Sequence, residues 1–273
     1  MIIAESLYDA LFMKKVRKVV KSIYFGYLNN FWKLRKRRGS DDFGGVAHIL
    51  LVKNVQYVAF AKICVNSFLS FHQKSKVVVH CDSVTYSLAR SKLSKSFLFG
   101  EIEVLLDQDE FQTWQSLKAA LIISMANSHD VYMDADLRWR SSIVRLRTLT
   151  FLVDEFDFRG NSTFVKLLGC SIFKNLQNPK MRNTSFATFG GIQVDPGIST
   201  EILETVENFA KILSSLNFSE EEITALNRLS EQITISLLSE KITSEIKFLK
   251  ISDSRLDKGI VESPYFGSTG LGF

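Results

Sequence analysis

The residues of this chain best suited to chemistry are two aspartates separated by one small residue, Asp134 and Asp136. They follow a short apolar run ending at Met133 that predicts a strand. Ligands bind outside the carboxyl ends of strands in an open α/β sheet, so we expect the pair to face a ligand crevice. Two such carboxylates can bind one Mn²⁺ or Mg²⁺ ion, which in turn neutralises a diphosphate. Because the same spacing also occurs in ordinary turns, its meaning depends on the surrounding elements.

Strands and helices alternate along the chain before this aspartate pair. Apolar runs predict strands at 48–52, 76–80 and 101–106, and helical periodicity predicts helices at 55–72, 84–95 and about 110–127. This alternation predicts a Rossmann-like, mostly parallel sheet with helices on both faces. Beyond Asp136 we expect strands at 164–173, 185–195 and 245–251, helices at 199–215 and 219–239, and a loop or lid at 263–273.

The composition is that of a folded α/β protein with one main domain. The chain has 273 residues, of which 46% are hydrophobic and only 3 are proline, so a sizeable core is expected. Its three cysteines (Cys64, Cys81 and Cys170) are odd in number and widely spaced, which indicates buried thiols in a reducing, cytoplasmic compartment. The four histidines are scattered and show no zinc-binding spacing.

Residues 1–45 form a basic arm that precedes the main domain at 46–273. Residues 1–40 hold ten basic and two acidic side chains, which leaves 24 basic and 27 acidic residues elsewhere. Helical spacing places an apolar stripe (Val16, Val19, Val20, Ile23, Tyr27, Phe31 and Leu34) opposite Lys14, Lys15, Lys18 and Lys21. This pattern predicts an amphipathic helix.

Three interpretations of the arm remain open. Contact of residues 12–38 with an anionic membrane would place the cytoplasmic protein peripherally on the inner membrane surface. Docking of the apolar stripe on the protein's own body is the second. The third is nucleic-acid binding. Since no other part of the chain resembles a nucleic-acid module, we expect no nucleic-acid partner.

Around the aspartate pair, the chain resembles GT-A fold glycosyltransferases of the family-8 type, the galactosyltransferase- and glycogenin-like enzymes. The resemblance covers about residues 48–240. It rests on the strand 48–52 with Tyr57 after it, the strand ending at Asp82, Lys118 sixteen residues before Asp134, the Met133-Asp134-Ala135-Asp136 block, and the Glu231-Gln232 pair. It implies a metal-dependent hexosyltransferase that moves a sugar from a nucleotide donor, UDP above all, to a glycan or lipid-linked acceptor, as in polysaccharide biosynthesis.

The resemblance also implies a role for each matching residue. Asp134 and Asp136 would bind the metal, and Glu231 and Gln232 would be catalytic residues facing the sugar. The donor would be bound by Tyr57, Asp82, Lys118, Asp134, Gly190 and Gly191. Plain structural roles compete with five of these: Asp82 as a helix cap, Lys118 as a solvated surface lysine, Tyr57 as a core residue, Glu231 as a solvated residue, and Gln232 as a capping or packing residue.

The chain departs from the family's pattern at two places. Phe189-Gly190-Gly191 stands where the family has Asn-x-Gly, and no histidine follows position 129 to match the family's C-terminal metal-binding histidine. The nearest local match is Tyr265-Phe266-Gly267. A non-catalytic binding or scaffold protein that retains the fold is therefore one alternative. A nucleotidyltransferase is another, although no glycine lies in Lys53-Asn54-Val55-Gln56-Tyr57, directly after the first strand.

Overall fold

A computed structural model describes residues 44–93, 100–107, 113–143, 145–152, 154–243, 245–249 and 261–262. The predicted N-terminal helix and the predicted lid at 263–273 lie outside these residues.

The first half of the chain alternates between strands and helices, as predicted. Its elements are β1 (Val46–Leu51), α1 (Tyr57–Phe71), β2 (Lys76–Cys81), α2 (Ser83–Leu93), β3 (Glu101–Leu106), α3 (Trp114–Ser124) and β4 (Val131–Met133). Side-chain caps fix where two of the helices begin. The Thr113 hydroxyl accepts a hydrogen bond from the Ser116 amide at the start of α3, and Asp82 accepts one from the Thr85 amide at the start of α2.

The second half consists of shorter elements. They are β5 (Arg138–Trp139), β6 (Leu149–Phe151), β7 (Asp154–Asp157), α4 (Ser162–Val165), β8 (Lys180–Arg182), β9 (Phe186–Thr188), α5 (Pro196–Glu207), α6 (Phe209–Ser215), α7 (Glu220–Asn227), α8 (Ser230–Ile242), β10 (Ile246–Phe248) and β11 (Val261–Glu262). The helices predicted at 199–215 and 219–239 are each divided in two. The second division separates α7, which begins with a Ser219–Glu222 capping box, from α8.

Two predicted strands of the second half need correction. Residues 164–173 form helical turns instead of a strand, because Asn161 caps the segment with bonds to the amides of Thr163 and Phe164. The strand predicted at 185–195 is limited to β9, because Gly190 and Gly191 take positive φ angles of 62° and 82° and end it.

Seven strands form the central sheet in the order β10-β6-β9-β4-β1-β2-β3. All neighbours in it are parallel except β9, which runs antiparallel to both β4 and β6. The carboxyl ends of β1, β2, β3 and β4 therefore lie along one edge, which places Asp134 and Asp136 beside the loop that follows β1. This confirms the predicted mostly parallel α/β sheet.

A separate hydrophobic core lies on each face of this sheet. Alternate residues of β1 (Ala47, Ile49 and Leu51) pack with α1 and α2 on one face. Tyr132 and Phe151 pack with α3, α5 and α8 on the other. Helices thus cover both faces, and α3 and α8 bring Lys118 and Glu231 toward the end of β4.

Candidate functional site

A cavity of about 390 Å³ opens at the carboxyl ends of β1 and β4. Its walls include Lys53, Asn54 and Tyr57 after β1, Trp114 from α3, and Asp134 and Asp136 after β4. Tyr57 and Trp114 are 44% and 38% exposed, respectively, so two aromatic rings border the opening. Tyr57 is therefore not a core residue. This cavity occupies the part of the sheet edge where parallel α/β proteins bind ligands.

A buried ammonium lies between two carboxylates at the back of this site. The Nζ atom of Lys118 is 3.2 Å from Asp134 Oδ1 and 3.3 Å from Glu231 Oε1. Only 4% of Lys118 is exposed, which excludes the interpretation of a solvated lysine. Burial works against its charge, but Asp134 and Glu231 outweigh burial and raise the pKa of Lys118 above its ordinary value. The lysine is therefore charged at neutral pH.

Tyr132 fixes the orientation of Asp134. Its hydroxyl donates a hydrogen bond of 2.6 Å to Asp134 Oδ1. Its ring also lies 5.1 Å from the Lys118 ammonium, within the range of a cation–π contact. Burial, followed by the charge on Asp134, raises the pKa of Tyr132 well above its ordinary value, so the hydroxyl remains a donor. Asp134 Oδ1 thus accepts from the hydroxyl, while the Lys118 ammonium lies beside both oxygens and donates to Oδ2 at 3.4 Å.

Asp136 has a different environment. Its side chain is half-buried in the cavity wall, and no described side chain donates a hydrogen bond to it. Burial and the nearby charge of Asp134 raise the pKa of Asp136 to about 6, and Lys118 offsets only part of this effect. Asp136 is therefore a carboxylate that a positive charge from a ligand would stabilise.

These side chains fit a divalent cation that is shared with a ligand. Among the described residues, no group of three or more His, Cys, Asp or Glu side chains is arranged to hold a metal ion. Mg²⁺, however, usually takes one or two protein carboxylates together with substrate phosphates and waters. Asp136 supplies one carboxylate, which forms no ion pair with any described residue, and Asp134 supplies the second. The pair fits Mn²⁺ or Mg²⁺ only in combination with oxygen atoms from a bound molecule.

Glu231 is held in the first turn of α8, where the helix dipole favours a negative charge. The hydroxyl of Thr184 donates to its Oε1 at 3.2 Å, and its buried Oε2 has no hydrogen-bond partner among the described residues. Burial raises the pKa of Glu231, although Lys118 opposes the shift. Gln232 is half-buried and does not line the cavity. The structure thus brings Glu231 to Asp134 through Lys118, but neither Glu231 nor Gln232 lines the cavity itself.

Asp82 is occupied by structural hydrogen bonds. Its Oδ1 accepts from the Thr85 amide at 2.9 Å and from the Thr85 hydroxyl at 2.8 Å, and its Oδ2 accepts from the Lys53 amide at 2.6 Å. It therefore fills the helix-capping role and also anchors the loop after β1. Asp82 does not line the cavity, so its contact with a donor would be made through Lys53.

The structure does not bring Gly190 and Gly191 to the cavity. Because β9 runs antiparallel to β4, its carboxyl end lies at the amino end of β4, at the opposite edge from Asp134. A Cβ atom on Gly190 would lie 2.4 Å from the Thr148 amide nitrogen, and one on Gly191 would lie 2.8 Å from the His129 ring. We therefore correct the expectation that these glycines approach a donor, since the close approach is to the protein itself.

Several residues of this site had not been predicted. Tyr132 and Thr184 contact Asp134 and Glu231, respectively, and Trp114 lines the cavity. Tyr132 is two residues before Asp134, so strand periodicity could have placed its side chain on the same face. Thr184 carries no such signal, because its approach to Glu231 depends on how β8 packs against α8.

A second cavity, of about 550 Å³, lies beside the carboxyl end of α8. Glu240 Oε2 there accepts hydrogen bonds of 3.0 Å from the amides of Gln177 and Asn178. This carboxylate stabilises the 174–178 loop. Although this cavity is larger, the smaller one holds the paired carboxylates and is the better candidate for chemistry.

A chain of four titratable groups crosses the sheet on the face opposite α1. His48 Nδ1 and His80 Nε2 share a hydrogen bond of 3.0 Å, and His80 Nδ1 bonds Asp107 at 2.9 Å. At the other end, His48 Nε2 lies 3.7 Å from Asp130 Oδ2. Both imidazoles therefore have polar partners within the fold, which is the structural role expected for most of the histidines.

Comparison with known proteins shows a distant likeness to solved structures. No protein-family model matches the chain, and no curated protein matches it. Among solved structures, the chain is similar to the crystal structure of mouse xyloside xylosyltransferase 1 in its apo form. The two are 10% identical, with a TM-score of 0.44, over 80% of this chain and 97% of that chain. Values this low establish neither a shared activity nor a shared family.

None of the described helices is both long and apolar enough to cross a membrane.

Proposed function

We propose that this protein is a metal-dependent glycosyltransferase of the GT-A type that moves a hexose from a nucleotide sugar, UDP-linked, to a glycan or lipid-linked acceptor. The observation that carries the proposal is the position of Asp134 and Asp136 in a cavity at the carboxyl ends of parallel strands, with the Lys118 ammonium behind them. Two carboxylates with the buried Lys118 ammonium beside them suit a ligand that brings a diphosphate and a bound metal ion.

In this proposal, Asp134 and Asp136 would hold Mn²⁺ or Mg²⁺, which would supply positive charge to stabilise a departing nucleoside diphosphate. Lys118 holds Asp134 in place and adds a positive charge near the phosphates. Tyr57, exposed at the cavity mouth, stacks on the base of the nucleotide. The bond between the anomeric carbon and the diphosphate breaks, and a bond from that carbon to an acceptor hydroxyl oxygen forms. The proton of the acceptor hydroxyl is transferred either to an oxygen of the departing diphosphate or to a carboxylate of the site.

Glu231 and Gln232 are the proposed residues at the sugar. The role of Glu231 is supported by its buried carboxylate, which is linked to Asp134 through Lys118. Gln232 would need to turn toward the cavity when the donor binds.

The sugar acceptor and the cellular location in this proposal depend on the basic arm at residues 1–45. If residues 12–38 lie on anionic lipid, the enzyme works as a cytoplasmic protein at the inner membrane surface, where lipid-linked acceptors are available.

A non-catalytic binding protein that retains the fold is the second candidate. One observation favours it: Asp134 already receives an ammonium from Lys118 and a hydroxyl from Tyr132, which leaves it fewer free lone pairs for a metal ion. In this case Asp136 alone would contact the cation, and nucleotide would bind without transfer.

Calorimetric titration of UDP, with and without Mn²⁺, tests the proposal in the wild type, Asp136→Ala and a matched surface variant, Asp157→Ala. Asp157 forms an exposed ion pair with Arg159 and lies away from the cavity. We expect binding that needs both Mn²⁺ and Asp136 and is unchanged in Asp157→Ala. Incubation with UDP-sugars should then release UDP. Binding without any UDP release supports the non-catalytic candidate, and the absence of UDP binding under all metals rejects the uridine donor.

A further inference from the structure

Lys53 occupies an unusual backbone conformation on the wall of the cavity. It follows β1 directly and has a φ angle of 61°, in the left-handed region that few residues other than glycine adopt. The Asn54 amide donates to the Val52 carbonyl across it at 2.8 Å, which closes a tight three-residue turn. Turns of this kind with a positive central φ are rare and strained. Glycine would adopt the same conformation without strain, so the turn alone does not explain a lysine here.

The rest of the fold enforces this conformation. Asp82 accepts the Lys53 amide hydrogen at 2.6 Å, and Thr85 fixes Asp82 with two hydrogen bonds of its own. Strained residues persist where their surroundings over-determine them, and they cluster at ligand sites. Asp82 is therefore a positioning residue for Lys53.

The Lys53 side chain has no structural role within the described part of the chain. It is exposed, it lines the cavity beside Asn54 and Tyr57, and no described residue forms an ion pair or hydrogen bond with its ammonium. Asn54 Oδ1 accepts the Gln56 amide hydrogen at 2.9 Å, which leaves the Asn54 amide NH₂ group to face a ligand. An ammonium offers three donors and no acceptor. This wall therefore presents mainly donors beside an exposed aromatic ring.

We propose that Lys53 selects the base of the nucleotide: its ammonium donates to the O4 keto oxygen of a uracil ring that stacks on Tyr57. Cytosine carries an amino group at this position, so it offers the ammonium no acceptor there. The inference rests on the proposed function, since it assigns the base end of the same site. Asp82 acts through Lys53 by fixing the turn.

The test compares UDP and CDP by calorimetry in the presence of Mn²⁺, using wild type, Lys53→Met, Lys53→Gly and a control, Lys211→Met. Lys211 is an exposed lysine of α6 whose one hydrogen bond within the described residues is to Asn208. We expect the wild type to bind UDP at least about 10-fold more tightly than CDP, since hydrogen bonds from charged groups have this strength. Both Lys53 variants should lose that preference, with UDP affinity falling about 10-fold and CDP affinity unchanged. Lys211→Met should match the wild type.

Lys53→Gly separates ligand recognition from folding. Because glycine relieves the left-handed strain, this variant should melt at a higher temperature than Lys53→Met and still lose the preference for UDP. Equal weakening of UDP and CDP in both variants would overturn the inference, because the lysine would then contact the diphosphate. Unchanged affinities would also overturn it. If the wild type binds neither nucleotide, the proposed function fails and this inference fails with it.

Discussion

At the scale of single residues, the dominant feature is one ammonium shared by two carboxylates. Lys118 lies within 3.3 Å of both Asp134 and Glu231, and Glu231 is 1% exposed. A buried ion cluster adds little stability over an apolar replacement, but removing one member leaves an uncompensated charge. The cluster therefore positions Asp134 more than it stabilises the fold.

Lys118→Met should destabilise the protein by about 3–5 kcal/mol, because Glu231 and Asp134 lose their shared counterion. Urea unfolding at pH 7 measures the change. The control is Lys166→Met, which removes an exposed lysine 3.8 Å from Glu222 and should cost less than about 1 kcal/mol. Equal costs in the two variants would contradict the assigned role of Lys118.

Asp136→Asn should stabilise the metal-free protein at pH 7.5 by about 1–2 kcal/mol. The folded-state pKa of Asp136 is raised to about 6 by burial and Asp134, so the folded protein holds this proton more tightly than the unfolded chain does. Its contribution to stability is present below the unfolded pKa and is lost as pH rises through about 6. The gain should therefore shrink toward pH 4. Unfolding in EDTA at several pH values measures it, and a gain independent of pH would be inconsistent with this origin.

At the scale of elements, the row of titratable groups across the sheet (Asp130, His48, His80 and Asp107) gives the free energy of unfolding a second pH dependence. Its sign is opposite to that of the Asp136 contribution. Burial lowers the pKa of His80, and the carboxylate of Asp107 only partly offsets this. The charged and titratable groups that face His80 are His48, Asp107 and Glu103. Because the unfolded chain binds this proton more readily, stability should fall as the pH is lowered through about 6.5.

His80→Gln should weaken this acid response. The wild type should lose more unfolding free energy between pH 7 and pH 5 than the variant does, measured by urea denaturation at each pH. The difference between the two proteins cancels the contribution of Asp136. A variant with the same pH slope as the wild type would show that the imidazole of His80 is not the group responsible.

Gly190→Ala should destabilise the fold by more than about 2 kcal/mol, since the new Cβ atom would meet the Thr148 backbone and φ is positive. Gly160→Ala is the control, because nothing lies within 4 Å of its Cβ position. That variant should change stability by less than about 0.5 kcal/mol. Thermal melts distinguish the two, and a tolerated alanine at position 190 would argue against the close approach.

The sequence predicts elements best where local pattern and tertiary role agree. The strands β1 and β2 followed from apolar runs, because central parallel strands are largely apolar on both faces, whereas β3 is a partly exposed edge strand. Residues 164–173 were misread since aromatic residues favour strands in isolation, whereas the cap at Asn161 determines the helical turn. The Asp134–Lys118–Glu231 contact could not be derived from spacing, because it joins three elements. Only the family resemblance brought those residues together.

At the scale of the whole molecule, we propose that the basic side chains of the arm at residues 1–45 attach the protein to anionic lipid. Replacing Lys36, Arg37 and Arg38 with serine should weaken binding to anionic vesicles about 100-fold, at about 1 kcal/mol for each basic residue. Vesicle sedimentation at 0.1 M salt measures this, with zwitterionic vesicles as the control. Unchanged sedimentation would favour an arm that docks on the protein itself.

The reversed strand β9 also determines the order in which the ribosome can complete the sheet. β4 can pair with β1 as soon as residue 133 has emerged, but its other edge is covered only by Phe186–Thr188. β6 is made earlier than β9, yet it has no place in the sheet until β9 lies between it and β4. During synthesis of the intervening segment, a nascent sheet with an open edge is therefore exposed to other chains. This interval is when we expect a chaperone to be needed.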